Sequence, residues 1–167
     1  MRHVPRLYLL RHAKSSWKDP ELTDHDRPLA ARGARAAAAL ARHFDAAGIA
    51  PDLVLCSTAR RARDTLDQVA PAAGEVRFEP ELYGASARSL LERLRQVPPA
   101  TGSVLVIGHN PELEDLALAL ARPSAGRDEI EAKYPTGALV ALELPGWAEL
   151  GRGTATLTAF VRPRDLE

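Results

Sequence analysis

The chain has 167 residues, of which 46% are hydrophobic, and its 22 basic residues balance its 22 acidic ones. A chain of this length is typical of one domain, so residues 1–167 are expected to form a single domain. The zero net charge argues against nucleic acid or an anionic membrane as a general partner, and no apolar run approaches the roughly 20 residues that span a bilayer. A single cysteine and the lack of a signal-peptide pattern indicate a cytoplasmic protein.

Short apolar or β-rich runs predict six strands. The run at residues 104–107 is continuous, which is typical of a strand covered on both faces. Residues 154–160 alternate between Thr and mostly apolar side chains, which favours a more peripheral strand. The six predicted strands are residues 7–10, 53–56, 76–78, 104–107, 138–144 and 155–161.

Between these strands, apolar residues recur at helical spacing. The Ala-rich segment 34–47 is a strong helix former and is followed by Gly48, a residue suited to a helix C-terminus. Ser86 is a candidate N-cap for a stripe of leucines, and Asn110 is a candidate N-cap for another. The charged segment 122–133 is expected to be an exposed excursion. Strands that alternate with helices indicate an α/β layered domain.

Polar side chains follow three of the predicted strands at the point where each strand ends. Arg11 and His12 follow the first strand, the arginine-rich run 57–65 follows the second, and His109 follows the fourth. Ligands of open α/β sheets bind at the carboxyl ends of the strands, so these side chains are expected to converge at one edge. Arginine offers a fork of donors that matches phosphate oxygens, and a neutral imidazole is a nucleophile that forms covalent intermediates. The convergence therefore predicts a site for phosphoryl transfer, which depends mainly on positioning and charge stabilisation.

Four short motifs occur in order along the chain: Arg11-His12-Ala13-Lys14, Asp26-Arg27-Pro28-Leu29, Arg61-Ala62-Arg63-Asp64-Thr65 and Gly108-His109-Asn110-Pro111. Together they resemble the histidine phosphatase superfamily, and most of all its short bacterial branch, the SixA-type phosphohistidine phosphatases. The resemblance extends from residue 7 to about residue 142. It implies an α/β fold with three α/β/α layers and a mostly parallel central sheet, of the phosphoglycerate mutase-like type and without a large cap insertion. It also implies a reaction that needs no metal and no other cofactor.

The resemblance assigns roles to four well-matched residues. His12 corresponds to the nucleophile that becomes phosphorylated, and Arg11 beside it binds the phosphate. Arg61 corresponds to the second phosphate-binding arginine, and His109 completes the pocket.

Other arginines need a separate interpretation. Arg60 and Arg63 flank the second phosphate arginine, and the register of the motif predicts that both face water. Arg27 matches a further arginine of the short branch, with a substrate-binding role. An ion pair of Arg27 with Asp24 or Asp26 is the alternative.

The proton donor is the part of the site with the weakest motif. Glu81 lies where the family places an acid after the third strand, and Glu79 is the next candidate. The stretch that follows lacks the fuller acid motif of the mutase-like members. Ala13 stands where the commoner superfamily motif has Gly, a replacement that the short branch tolerates.

Three functions fit these residues. The first is a phosphatase that works through phosphohistidine on His12 and acts on phosphohistidine of a protein or on a small phosphomonoester. The second is a non-catalytic domain that binds a phosphorylated partner without turnover. The third is a mutase of the phosphoglycerate type, which needs a more enclosed site than a chain of this length provides.

Overall fold

A computed structural model describes residues 4–167. Within that range six strands form one sheet in the order β3-β2-β4-β1-β5-β6. All six coincide with predicted strands, with ends that differ by one residue at most. Their bounds are β1 Arg6–Arg11, β2 Leu53–Ser57, β3 Glu75–Glu79, β4 Ser103–Gly108, β5 Leu139–Glu143 and β6 Thr156–Val161.

The first four strands and β6 run in the same direction, and β5 runs opposite to them. β4 lies between β2 and β1 and is parallel to both, whereas β5 runs antiparallel to β1 and β6 runs antiparallel to β5. In the ladder between β1 and β4, Arg11 lies opposite Gly108. The carboxyl ends of these two central strands therefore finish at the same level, and the residues after them are neighbours.

Five α-helices in the described range cover the two faces of the sheet. Alternate residues of β1 point to opposite faces: Leu7 and Leu9 join one hydrophobic cluster, and Tyr8 and Leu10 join the other. Helices α1 and α2 pack on the second cluster, and α3, α4 and α5 pack on the first. This arrangement confirms the predicted α/β fold with a mostly parallel central sheet. The helices are α1 Ala31–Ala47, α2 Arg60–Val69, α3 Ala87–Arg95, α4 Glu112–Leu120 and α5 Ala125–Ala132.

Local signals at the helix ends match the sequence expectations in two places. Gly48 ends α1 with a φ of 67°, a left-handed conformation that glycine adopts without a steric penalty. The Ser86 side chain accepts a hydrogen bond from the backbone N–H of Ser89 and caps α3. Each signal therefore ends or begins a helix where the sequence predicts it.

Residues 122–133 are mostly exposed, as expected, but they also contain a helix that the sequence analysis did not predict. Helix α5 lies within this segment, begins after a Ser124 side-chain cap and buries Ile130 completely against the core. Ile130 alone attaches α5 to the core, because most of the other side chains of this helix face solvent.

The strands differ in how far they are covered. Every residue of β2 is buried, including Cys56, whose thiol pKa is raised to about 12 by burial. At the sheet edge, β3 leaves Val76 and Phe78 exposed. Among residues 4–167, no helix is long and apolar enough to cross a membrane.

Candidate active site

The ends of β1 and β4 bring the two motif histidines together. The backbone N–H of His12 donates to the carbonyl of Gly108 at 3.0 Å, which ties the residue after β1 to the end of β4. The ring centroids of His12 and His109 are 5.2 Å apart, with an angle of 55° between the ring planes. Both residues are only 7% exposed. The predicted convergence of the two imidazoles is therefore present in the structure.

The hydrogen bonds of His12 determine which ring nitrogen is free. Its Nδ1 lies 2.7 Å from the carbonyl oxygen of Ala13. A carbonyl can only accept, so Nδ1 carries the proton and Nε2 keeps its lone pair. The pKa of His12 is lowered to about 3, mainly by burial, and the charges of His109, Arg61 and Arg11 contribute to this lowering. At neutral pH the ring is therefore uncharged, and Nε2 is a nucleophile.

His109 is held from the neighbouring strand. Its Nε2 lies 2.8 Å from the hydroxyl oxygen of Ser57, the last residue of β2. The same hydroxyl accepts the backbone N–H of Ala59 at 3.2 Å, so Ser57 also positions the turn that leads into α2. The pKa of His109 is lowered to about 4, mainly by burial, and the charges of Arg61 and Arg11 contribute to this lowering.

A buried threonine links the loop after β1 to α2. The Thr65 hydroxyl accepts the backbone N–H of Ala13 at 3.0 Å and donates to the carbonyl oxygen of Arg61 at 2.7 Å. Thr65 is fully buried. One hydroxyl thus connects the residue after His12 with Arg61.

The charges of Arg11 and Arg61 both lower the pKa values of His12 and His109. Arg61 is buried, whereas Arg60 and Arg63 are exposed, as the register of the motif predicts. Arg11 donates from Nη1 to the carbonyl oxygen of Tyr134 at 2.9 Å. In the described part of the chain, the buried Nε atoms of both Arg11 and Arg61 have no hydrogen-bond acceptor. An unpaired buried guanidinium N–H is costly, and an anion between the two side chains is a suitable acceptor.

Asp24 is a member of the site for which the sequence analysis gave no role beyond a possible ion pair with Arg27. Its carboxylate accepts from Arg61 Nη2 at 3.1 Å, from Arg27 Nε at 3.2 Å and from the hydroxyl of Tyr83 at 2.5 Å. Its backbone carbonyl accepts from Arg61 Nη1 at 2.8 Å. The Tyr83 hydrogen bond is the main cause that lowers the pKa of Asp24 to about 2, and the arginines add to it. Asp24 is therefore ionised and fixes the position of both guanidinium groups.

Arg27 lies at the rim of this cluster. Its guanidinium pairs with Asp24 and donates a hydrogen bond to the Ser15 hydroxyl at 2.8 Å. It also lies over the exposed ring of Trp17, whose centroid is 3.4 Å from the guanidinium carbon. Arg27 is 6% exposed, and Trp17 is 70% exposed. The ion pair considered from the sequence is thus present, and it places Arg27 beside Arg61 on the same carboxylate.

Among the described hydrogen bonds and ion pairs, none joins Glu79 or Glu81 to His12 or His109. Glu79 accepts two hydrogen bonds from Arg93 of α3, at 2.8 Å and 3.0 Å, and so forms an ion pair with that helix. Glu81 is exposed in the short turn after β3 and lines a cleft with Glu79 and Arg93. The same turn instead delivers Tyr83, whose ring lies 5.6 Å from that of His109. Glu81 as proton donor stays a prediction.

Comparisons with known proteins match this geometry. The model of the histidine phosphatase superfamily (branch 1) matches residues 7–142. An uncharacterized protein of Mycobacterium tuberculosis (strain ATCC 25618 / H37Rv) is 40% identical over 163 residues, which cover 93% of this chain and 100% of that protein.

Two solved structures of candidate SixA phosphohistidine phosphatases have the same fold. The one from Nakamurella multipartitia has a TM-score of 0.87 and 34% identity, over 97% of this chain and 98% of that one. The one from Agrobacterium tumefaciens has a TM-score of 0.82 and 30% identity, over 95% of this chain and 99% of that one.

The family match covers the site from end to end. Residues 7–142 include all four motifs and every strand except β6. The similarity to the two solved structures extends over nearly the whole chain, so it includes the antiparallel end of the sheet as well. The chain therefore belongs to the histidine phosphatase superfamily (branch 1), in its SixA-type group.

Proposed function

We propose that this phosphatase works in two steps through a phosphoryl group on Nε2 of His12, and that its substrate is phosphohistidine on a protein or a small phosphomonoester. In the first step a bond forms between Nε2 and phosphorus while the bond from phosphorus to the leaving group breaks. The leaving group departs with the electron pair and takes up a proton. In the second step a water oxygen attacks phosphorus, the bond to Nε2 breaks, and inorganic phosphate leaves as the water loses its proton.

The observation that carries this proposal is the hydrogen bond from His12 Nδ1 to the Ala13 carbonyl at 2.7 Å. It leaves a lone pair on Nε2 and fixes the ring in one orientation. Because the pKa of His12 is about 3, the ring needs no general base before it attacks. Preorganised nucleophiles of this kind are effective because the entropy of alignment is lost on folding and not during the reaction.

The cationic surroundings favour a transferring phosphoryl group. Arg11 and Arg61 supply charge for its equatorial oxygens, which is the main requirement of phosphoryl transfer. Burial lowers the pKa of His109 to about 4, and the same positive field contributes to that lowering while no anion is bound. A bound dianion reverses that field and raises the pKa of His109, so the second imidazole becomes able to donate a hydrogen bond to a phosphoryl oxygen.

The weakly defined acid favours phosphohistidine over phosphomonoesters as the physiological substrate. A departing imidazole takes up its proton readily, whereas an alkoxide depends on an acid at the moment of departure. Asp24 has a pKa of about 2 and is ionised at neutral pH. It therefore does not supply that proton while its carboxylate is paired with the arginines. Glu81 remains the proposed donor, and Glu81→Gln is expected to impair phosphomonoester hydrolysis more than phosphohistidine hydrolysis. Equal losses on both substrates would count against this assignment.

The direct test is to trap the covalent intermediate. Wild-type protein is mixed with a ³²P-labelled phosphohistidine peptide and quenched in alkali, where phosphohistidine survives, and the labelled residue is identified by mass spectrometry. Label is expected on His12 and is expected to be absent from His12→Ala. His43→Ala is the matched control because His43 lies on α1 and outside the site.

The outcomes separate the alternatives. Binding of tungstate without turnover of any phosphorylated substrate would identify a non-catalytic phosphate-binding domain. Return of the label to a second acceptor hydroxyl, in place of release as inorganic phosphate, would identify a mutase. Location in the cytoplasm, predicted from the single cysteine and the lack of a signal-peptide pattern, is part of the proposal because a phosphorylated protein substrate would have to share the compartment.

A further inference from the structure

A groove of about 900 Å³ lies beside the catalytic site and is not used by the chemistry above. One wall is the outer face of α1. The other consists of the end of α5, the segment that follows it and the C-terminal turn Pro163–Leu166. Small and apolar side chains, including Ala36, Ala39 and Leu166, line the groove between the charged ones.

The groove concentrates positive charge in a chain whose formal net charge is zero. Seven basic residues line it, against the two acidic residues Glu129 and Glu167. Six of the seven are exposed and, over residues 4–167, take part in none of the ion pairs within 4.0 Å. These six are Lys14, Arg32, Arg35, Arg42, Lys133 and Arg164. Like charges at short range repel each other, so this cluster costs stability unless an anionic partner offsets it.

The groove begins next to the nucleophile. Lys14 lines it and is two residues from His12, a span of at most about 7 Å. At the same end lies Pro135, which follows the residue whose carbonyl holds Arg11. From there α1 carries the charge away from the site, because Arg32 and Arg42 are ten residues apart, or about 15 Å along a helix. A ligand in the groove therefore extends outward from a phosphoryl group on the catalytic histidine.

We propose that this groove docks an acidic segment of the phosphorylated protein, adjacent in space to its phosphohistidine. The proposal rests on the proposed function and names the partner surface that it requires. Long, exposed arginines spaced over about 15 Å match carboxylates along two or three helical turns, whereas a small polyanion needs donors that converge on one point. The small side chains between them leave room for the apolar stems of an amphipathic partner helix.

The test compares two phosphohistidine peptides of about 15 residues, the length that reaches along the groove. In one peptide the residues flanking the phosphohistidine are rich in Glu, and in the other they are Gln. The readouts are the ratio of the two kcat/KM values and, separately, the Kd of each fluorescein-labelled unphosphorylated peptide measured by anisotropy. Each is measured at about 50 mM and about 500 mM NaCl, since screening weakens exposed charge pairs. The second readout needs no turnover, so it examines the groove even if the catalytic proposal fails.

The variant is Arg32→Glu/Arg35→Glu/Arg42→Glu. Its matched control, Arg88→Glu/Arg122→Glu/Arg152→Glu, makes the same change of net charge at exposed arginines outside the groove.

Wild type and the control variant are expected to prefer the Glu-rich peptide by about tenfold or more at low salt, within the range of electrostatic steering and binding. The groove variant is expected to lose that preference, and high salt is expected to reduce it in the wild type. Equal affinity of wild type for both peptides would overturn the docking proposal while leaving the phosphatase mechanism intact. Tight binding of inorganic tripolyphosphate without binding of the Glu-rich peptide would also overturn it, in favour of a small polyanion. Failure of wild type to hydrolyse either peptide, with the binding preference present, would refute the substrate class and not the groove.

Discussion

Thr65 joins the catalytic loop to α2 through a single buried hydroxyl, so its replacement isolates the value of that link. Thr65→Val keeps the shape of the side chain and removes the oxygen. The backbone N–H of Ala13 then loses its acceptor in a fully buried position. The carbonyl of Arg61 is less affected because it can still accept an intrahelical bond within α2.

The expected losses of stability and activity in Thr65→Val follow from these hydrogen bonds. One buried donor left unsatisfied costs about 1–3 kcal/mol in the free energy of unfolding. The catalytic cost is separate, because Ala13 also supplies the carbonyl that orients the His12 ring. A shift of the loop by a fraction of an ångström misaligns Nε2, and we expect kcat/KM to fall at least about tenfold.

Thr65→Ser is the matched control. It keeps the hydroxyl and deletes one buried methyl group, at a cost of about 1 kcal/mol. Urea unfolding monitored by circular dichroism measures the stability of both variants, and turnover of an aryl phosphate measures activity. Both variants are expected to be destabilised, but only Thr65→Val is expected to lose activity. Equal activity losses in the two variants, or wild-type activity in Thr65→Val, would refute the reasoning.

Three further predictions use the same assays with one addition. NMR titration is expected to show no protonation of His12 or His109 between pH 6 and 8, since burial is the main cause that lowers their pKa values to about 3 and about 4. The unfolded rings take up protons below about pH 6.5, so each histidine is expected to reduce stability by up to about 1.4 kcal/mol per pH unit as the pH falls from there towards the folded pKa. His12→Gln is expected to remove one such dependence. Gly33→Ala is expected to lower stability by about 1–3 kcal/mol and to reduce activity, because the added Cβ would lie 2.1 Å from the Lys14 carbonyl oxygen; a normal urea midpoint would contradict this. Glu79→Gln is expected to lower stability without a selective loss of phosphomonoester turnover, because its two hydrogen bonds go to the arginine of α3; a selective loss would identify it as the proton donor.

The parts of the fold that the sequence predicted well are those specified by local patterns. Continuous apolar runs identified the central strands, and the ends of those strands identified the two histidines that the structure brings together. Helix α5 was missed because Ile130 is its single fully buried residue, and a charged segment with one apolar anchor has no helical stripe. Its N-terminal cap, Ser124, was the local signal that could have revealed it.

The role of Asp24 was harder to predict for a different reason. Its carboxylate is organised by Arg27, Arg61 and Tyr83, which are 3, 37 and 59 residues away along the chain. Only the first of these partners is within a local pattern. The other two depend on how α2 and the turn after β3 pack, and no spacing rule contains that information.

The buried thiol of β2 has a practical consequence for studies of this enzyme. Cys56 is the single cysteine of the chain, and with a pKa of about 12 it stays protonated at neutral pH. Alkylating reagents and peroxides attack the thiolate, so they modify this residue only after the packing of α1 and α2 on β2 opens. The rate of alkylation therefore measures how often this face of the sheet is uncovered under native conditions. It also follows that the proposed catalytic cycle on an imidazole should withstand oxidants that inactivate enzymes with an exposed nucleophilic thiolate.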